Sequence, residues 1–122
     1  MKDTRKNTGT DGENRAAAYL ELHGFSVLAR NWRTRTGEID IIGVSGQTLV
    51  FFEVKTLPHG SPEMLAHVLD ARKQKRIIET SKCFLSIHRQ YSKSYIRYDV
   101  IVVDMPGKPE VYHLENAFSE FL

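Results

Sequence analysis

Asp40, Glu53 and Lys55 are the residues of this 122-residue chain whose types and spacing invite chemistry. They flank Ser45-Gly46-Gln47-Thr48, a turn sequence between two apolar runs, Gly37 to Val44 and Leu49 to Lys55. If Gly46-Gln47 is a two-residue hairpin loop, Ser45 faces Thr48. Counting back along both strands then sets Asp40 across from Glu53 and Glu38 across from Lys55. Side chains in a strand alternate with a period of two, so all four share one face of the sheet. Opposed Cβ atoms lie ~4.5 to 5.5 Å apart, close enough for both carboxylates to touch one cation.

Carboxylates this close repel, and charge at the end of a buried strand is costly unless compensated. A hard divalent cation, Mg²⁺ or Mn²⁺, would compensate. It takes oxygen ligands at ~2.0 to 2.1 Å and keeps several waters, one of which can become a nucleophile. Lys55 points at the same spot, where it would orient that water or stabilise a five-coordinate phosphorus. Phosphodiester hydrolysis needs these parts and no organic cofactor. Cross-strand ion pairing explains Glu38 with Lys55, or Glu53 with Lys55, when each pair is taken alone. It explains poorly two acids and a lysine gathered on one face.

The elements that would hold these residues follow from pattern. Residues 1–9 carry Lys2, Arg5 and Lys6 without apolar periodicity and read as a mobile basic tail. Thr10 and Glu13 form a capping-box pattern that opens a helix to about His23, with Ala16, Ala17 and Leu20 as its buried stripe. Phe25 to Trp32 reads as a first strand. Gly37 to Val44 is a second, in which Ile39 and Ile41 alternate against Glu38, Asp40 and Ile42. Leu49 to Lys55 is apolar on both faces, as a central strand should be. Ser61-Pro62-Glu63 and Asp70 offer helix starts, and Ile77, Ile78, Ser81, Phe84, Leu85 and His88 recur at helical spacing, giving a long helix from about Asp70 to His88. Tyr95 to Asp104 and Glu110 to Leu114 are the last strands. The order α-β-β-β-α-β-β defines a single α/β domain over residues 10–122, with a mixed sheet flanked by helices.

Composition narrows the class. An apolar share of 41% and a charged share of 26% suit a water-soluble globular chain. No apolar run approaches the length that spans a bilayer, and the first fourteen residues lack the apolar stretch of a secretion signal, so the cytoplasm is expected. The single Cys83 excludes an internal disulfide and a thiolate metal cluster. It falls among apolar neighbours on the long helix, and burial is expected there.

The motif residues resemble those of a known family. Gly37-Glu38-Ile39-Asp40-Ile41-Ile42, followed by Val50-Phe51-Phe52-Glu53-Val54-Lys55-Thr56, resembles the G-E-I-D-L-I and F-V-E-V-K-T segments of the bacterial YraN family, a predicted endonuclease family related to archaeal Holliday-junction resolvases. Gly12-Glu13, Asn31 with Arg33, Arg72-Lys73-Gln74, Tyr98-Asp99-Val100 and Asn116-Ala117-Phe118 extend the likeness over nearly the whole chain. The resemblance implies a restriction-endonuclease-like PD-(D/E)xK core, in which Asp40 and Glu53 bind the metal and Lys55 assists catalysis; the Val54 carbonyl is expected to join the two acids on the metal. It also implies a place at the site for Glu13, which either closes the capping box with Thr10 or points toward the sheet in line with Ala16 and Leu20. Glu38 would tune Lys55. DNA, in branched or flapped form, is the implied substrate, and a two-fold junction would call for a homodimer. A non-cleaving nucleic-acid-binding or protein-interaction module on the same fold is the other reading.

Basic residues supply surfaces for a polyanion. Arg72, Lys73, Lys75 and Arg76 crowd the start of the long helix, where the macrodipole disfavours cations, so phosphate contact is expected of them. Arg33 and Arg35 form a second group beside Trp32, which reads as core rather than as a base-stacking platform. The histidines show no ligand spacing. Asp99 opens an apolar strand and would orient a basic neighbour.

Overall fold

The computed structural model describes residues 4–120. In chain order the elements are α1 (Thr4–Leu22), β1 (Ser26–Arg33), β2 (Glu38–Ser45), β3 (Thr48–Thr56), α2 (Pro62–Val68), α3 (Ala71–Ile87), a 3-10 turn at Arg89–Tyr91, β4 (Tyr95–Val103) and β5 (Val111–Phe118). The hairpin around Gly46 forms in the expected register, Ser45 opposite Thr48 and Ile41 opposite Phe52. Gly46 takes a φ of 58°, a conformation that suits glycine in a two-residue turn. The five strands lie in the order β1-β2-β3-β4-β5. All neighbours are antiparallel except β3 and β4, whose parallel pairing needs the crossover through α2 and α3.

The central strand is covered on both sides, as its unbroken apolar sequence requires. Leu49 and Phe51 pack with Ile77, Ile78 and Phe84 of α3, whereas Val50, Phe52 and Val54 pack with Ala16, Ala17 and Leu20 of α1. The fold is therefore the expected α/β domain with a five-stranded mixed sheet between helical layers. Among the described residues no helix is long and apolar enough to cross a membrane.

Three elements depart from expectation. First, α1 begins at Thr4, so Thr10 lies inside the helix and does not cap it. Of the segment read as a tail, residues 1–3 lie outside the described residues and residues 4–9 follow helical backbone. Those six positions carry no apolar residue, so their sequence gives no periodic signal of a helix. Second, the two helix starts open separate helices. Ser61 Oγ accepts from the Met64 N–H and the Asp70 carboxylate from the Lys73 N–H, so a short helix precedes the long one. Third, β5 runs on to Phe118, because a register shift against β4 between the Tyr98 and Val100 pairs lets Phe118 rejoin the core.

Gly12 sets how closely α1 meets the sheet. A Cβ there would stand 2.1 Å from Thr56 Oγ1, at the end of β3. Gly12→Ala should lower stability by about 1–3 kcal/mol, the usual range for overpacking. Urea unfolding would measure the loss, and Thr56→Ala in the same chain should return most of it, since the clash is with that hydroxyl.

Candidate functional site

The hairpin brings Asp40 and Glu53 to one place, but not as a ladder pair. Pairing between β2 and β3 ends at Ile41 and Phe52, and beyond it Asp40 Oδ2 accepts the Val54 N–H at 2.8 Å. The carboxylate thus fills the opening where the strands part. Strict alternation also fails here. Ile39 shares the α3-facing layer with Ile42, while Ile41 lies in the α1-facing layer, so the pleat changes phase across Asp40.

Glu53 is 4% exposed, and its Oε1 takes two ammonium groups, Lys55 Nζ at 3.2 Å and Lys73 Nζ at 3.3 Å. Burial, joined by the charge of Glu53, pushes the Asp40 carboxyl up to about 7, against the pull of the Val54 N–H and Lys55. Burial also works against the Lys73 ammonium, but the charge and hydrogen bond of Glu53 outweigh it and leave Lys73 above its ordinary value. The acids and Lys73 line one small cleft with Glu38 and Arg76. Arg76 reaches it by laying its stem against Gly37, where a Cβ would stand 3.0 Å from Arg76 Cγ.

Glu38 does not meet Lys55. It sits opposite Arg33 in the β1–β2 ladder and pairs with Arg33 Nε at 3.3 Å. The expected pairing required the β2–β3 ladder to continue past Asp40, which it does not. Glu13 projects from α1 toward the same end of the sheet, where its charge adds to the upward pressure on Asp40 and Arg30 Nη2 lies 4.0 Å from it. Asn31 holds the two outer acids together. With its amide nitrogen facing them, it donates to Glu13 Oε1 at 3.2 Å and to Glu38 Oε1 at 3.0 Å. Its φ of 52° is a left-handed conformation that asparagine tolerates better than most residues. Only the N-x-R resemblance singled this residue out; no local pattern reveals it.

The six basic residues expected to face a polyanion do not form one patch. Lys73 and Arg76 line the cleft, and Arg33 is tied to its rim through Glu38. Lys75 lines a separate groove with Glu79, Lys82 and Glu120. Arg35 and Arg72 are exposed. Trp32 meets Phe84 edge-on at 5.3 Å, a core contact as expected. Cys83, expected to be buried, is half-buried, because its side of α3 is only partly covered.

Among the described residues no three His, Cys, Asp or Glu side chains stand together as a metal cage. The donors at hand are the two carboxylates and main-chain oxygen, a hard, oxygen-only set that suits a cation retaining water. One buried acid needing two ammonium groups, beside another held near neutrality by burial and that charge, is an arrangement a divalent cation fits.

A mixed α/β sheet that gathers two acids and two lysines where a central hairpin opens is the class this chain represents. Residues 12–103 match the uncharacterised protein family UPF0102, and the chain belongs to that family. A UPF0102 protein of Treponema denticola is 44% identical over 123 residues, covering 92% of this chain and 95% of the relative. One of Treponema pallidum is 42% identical over 126 residues and covers both chains fully. Another, of Geobacter metallireducens, is 40% identical over 117 residues, 93% of each.

Proposed function

We propose that this protein is a metal-dependent endonuclease that hydrolyses phosphodiester bonds, with DNA as substrate. The observation that carries this reading is the meeting of Asp40 and Glu53 at the strand opening, with Lys55 on the Glu53 carboxylate. The resemblance of the surrounding segments to the YraN family supports it and suggests branched or flapped DNA. Asp40, Glu53 and the Val54 carbonyl would hold Mg²⁺ or Mn²⁺. Such an ion supplies a water of lowered pKa and positive charge for the phosphate. Lys55 would hold the attacking oxygen in line by hydrogen bonding and offset charge on the phosphate. Arg76, on the cleft wall, would take a neighbouring phosphate through its planar fork. Glu13 acts at one remove, through its charge on Asp40, and Glu38 through its hold on Arg33. Work on a two-fold junction would take two copies of the chain.

Incubation of linear, flapped and four-way DNA with Mn²⁺ tests the proposal. The parent should cut at least one of these, and Lys55→Ala should cut about 100-fold more slowly or less, as for the loss of a positioned proton-handling group. Equal cleavage by both would trace the activity to a contaminant. Binding that weakens with salt and never leads to cleavage would make the protein a binding module instead.

A further inference from the structure

Glu53 Oε1 carries one more cation than its charge requires. Lys55 is placed there by its strand, two residues along the same face of β3. Lys73 has no such constraint. It comes from the first turn of α3, where Asp70 already caps its backbone N–H and the positive helix end makes an ammonium unwelcome. Its side chain is 38% exposed, against 24% for Lys55, so it combines a long flexible stem with access to solvent. Arg76, one turn further along α3, lines the same cleft.

We propose that Lys73 is a positioning residue that serves as the resident counter-cation of Glu53, yields the carboxylate to an incoming divalent cation, and then turns to a phosphate of the substrate. The proposal rests on the nuclease reading above, whose metal it invokes. A divalent cation at Glu53 cannot share one oxygen with two ammonium groups without strong like-charge repulsion. Lys73 moves at least cost, since Lys55 is half-buried and held in place by its strand. The released ammonium stays tethered at the cleft, where a phosphodiester gives it a new anion. Metal loading and phosphate binding thereby become linked, and linkage is reciprocal.

The test uses the full chain in metal-free buffer. Mn²⁺ is titrated calorimetrically into the parent, Lys73→Met, Lys73→Gln and Lys73→Arg, without DNA. A fluorescent duplex is then titrated with and without Ca²⁺. Removing the competing ammonium should tighten Mn²⁺ binding by about 5-fold or more in the Met and Gln variants, the lower end of ordinary coupling between sites. In the same variants the Ca²⁺-dependent gain in duplex affinity should disappear, and Lys73→Arg should restore it. If the parent binds Mn²⁺ and both neutral variants bind it no more tightly, the proposal is overturned while the nuclease reading stands. If the parent binds no divalent cation, both fall.

Discussion

Asp40→Asn should lose Mn²⁺ binding and cleave DNA more than about 100-fold more slowly than the parent, because even outer partners of a metal site are worth 10- to 100-fold. The same variant should be the more stable protein at pH 8 without metal. Its Oδ1 can still accept the Val54 N–H, which Asp40 now takes at 2.8 Å, while the half-buried charge beside Glu53 is gone. The sign follows from proton counting. The folded-state pKa, about 7, lies above the ordinary value of 3.8, so the folded protein holds a proton the unfolded chain has released. Stability of the parent therefore falls as pH rises from about 4 to 7 and levels off above, with the penalty fully present at pH 8. Because water still reaches the cleft, the gain in Asp40→Asn at pH 8 should be roughly 1 to 3 kcal/mol. Near pH 4 the two proteins should melt alike. A variant less stable than the parent at pH 8, in chelator, would contradict the account of a carboxylate held at a loss for the sake of its site.

The largest loss of stability should come from Asp99→Ala. Asp99 is fully buried and accepts four hydrogen bonds: Arg97 Nε and Nη2, each at 2.9 Å, His113 Nε2 at 2.7 Å, and the Asn116 N–H at 2.9 Å. Burial alone would raise its pKa, but His113, Arg97 and the Asn116 amide outweigh burial and hold it below the ordinary range. These bonds pin β5 to β4 across the register shift, where Asn116 takes a φ of 52°. Removing the acid strands Arg97 and His113 without their anion, a defect worth about 3–5 kcal/mol. That is a large part of the 5–15 kcal/mol typical of a domain. Urea denaturation at pH 7 would show it, and a loss below about 1 kcal/mol would mean the cluster is incidental. Acid should act in the same direction, since the contribution of Asp99 is present above the ordinary carboxylate pKa and lost as pH falls through its depressed value.

Local rules carried the sequence reading a long way. One turn, Ser45-Gly46-Gln47-Thr48, set the hairpin register and with it the meeting of Asp40 and Glu53. What that logic could not supply was the end of the ladder. Nothing in the order of residues says that Asp40 gives up its place opposite Glu53 to take the Val54 N–H, and so the strand pattern alone points Glu38 at Lys55 rather than at Arg33. Lys73 was legible as a cation near the start of a helix, but its approach to Glu53 depends on how α3 crosses the sheet. Asp99 announced itself as an acid on an apolar strand. One partner, Arg97, is two residues away on the same face; His113 and Asn116 arrive from β5, beyond the reach of any local pattern.

The bond from Val54 to Asp40 gives the protein a built-in spectator of its own chemistry. Because that backbone proton points at a side chain and not at the neighbouring strand, its nuclear resonance and its exchange with deuterated solvent should follow whatever happens to the acid. Titration, ion loading and withdrawal would each be visible from a single main-chain signal.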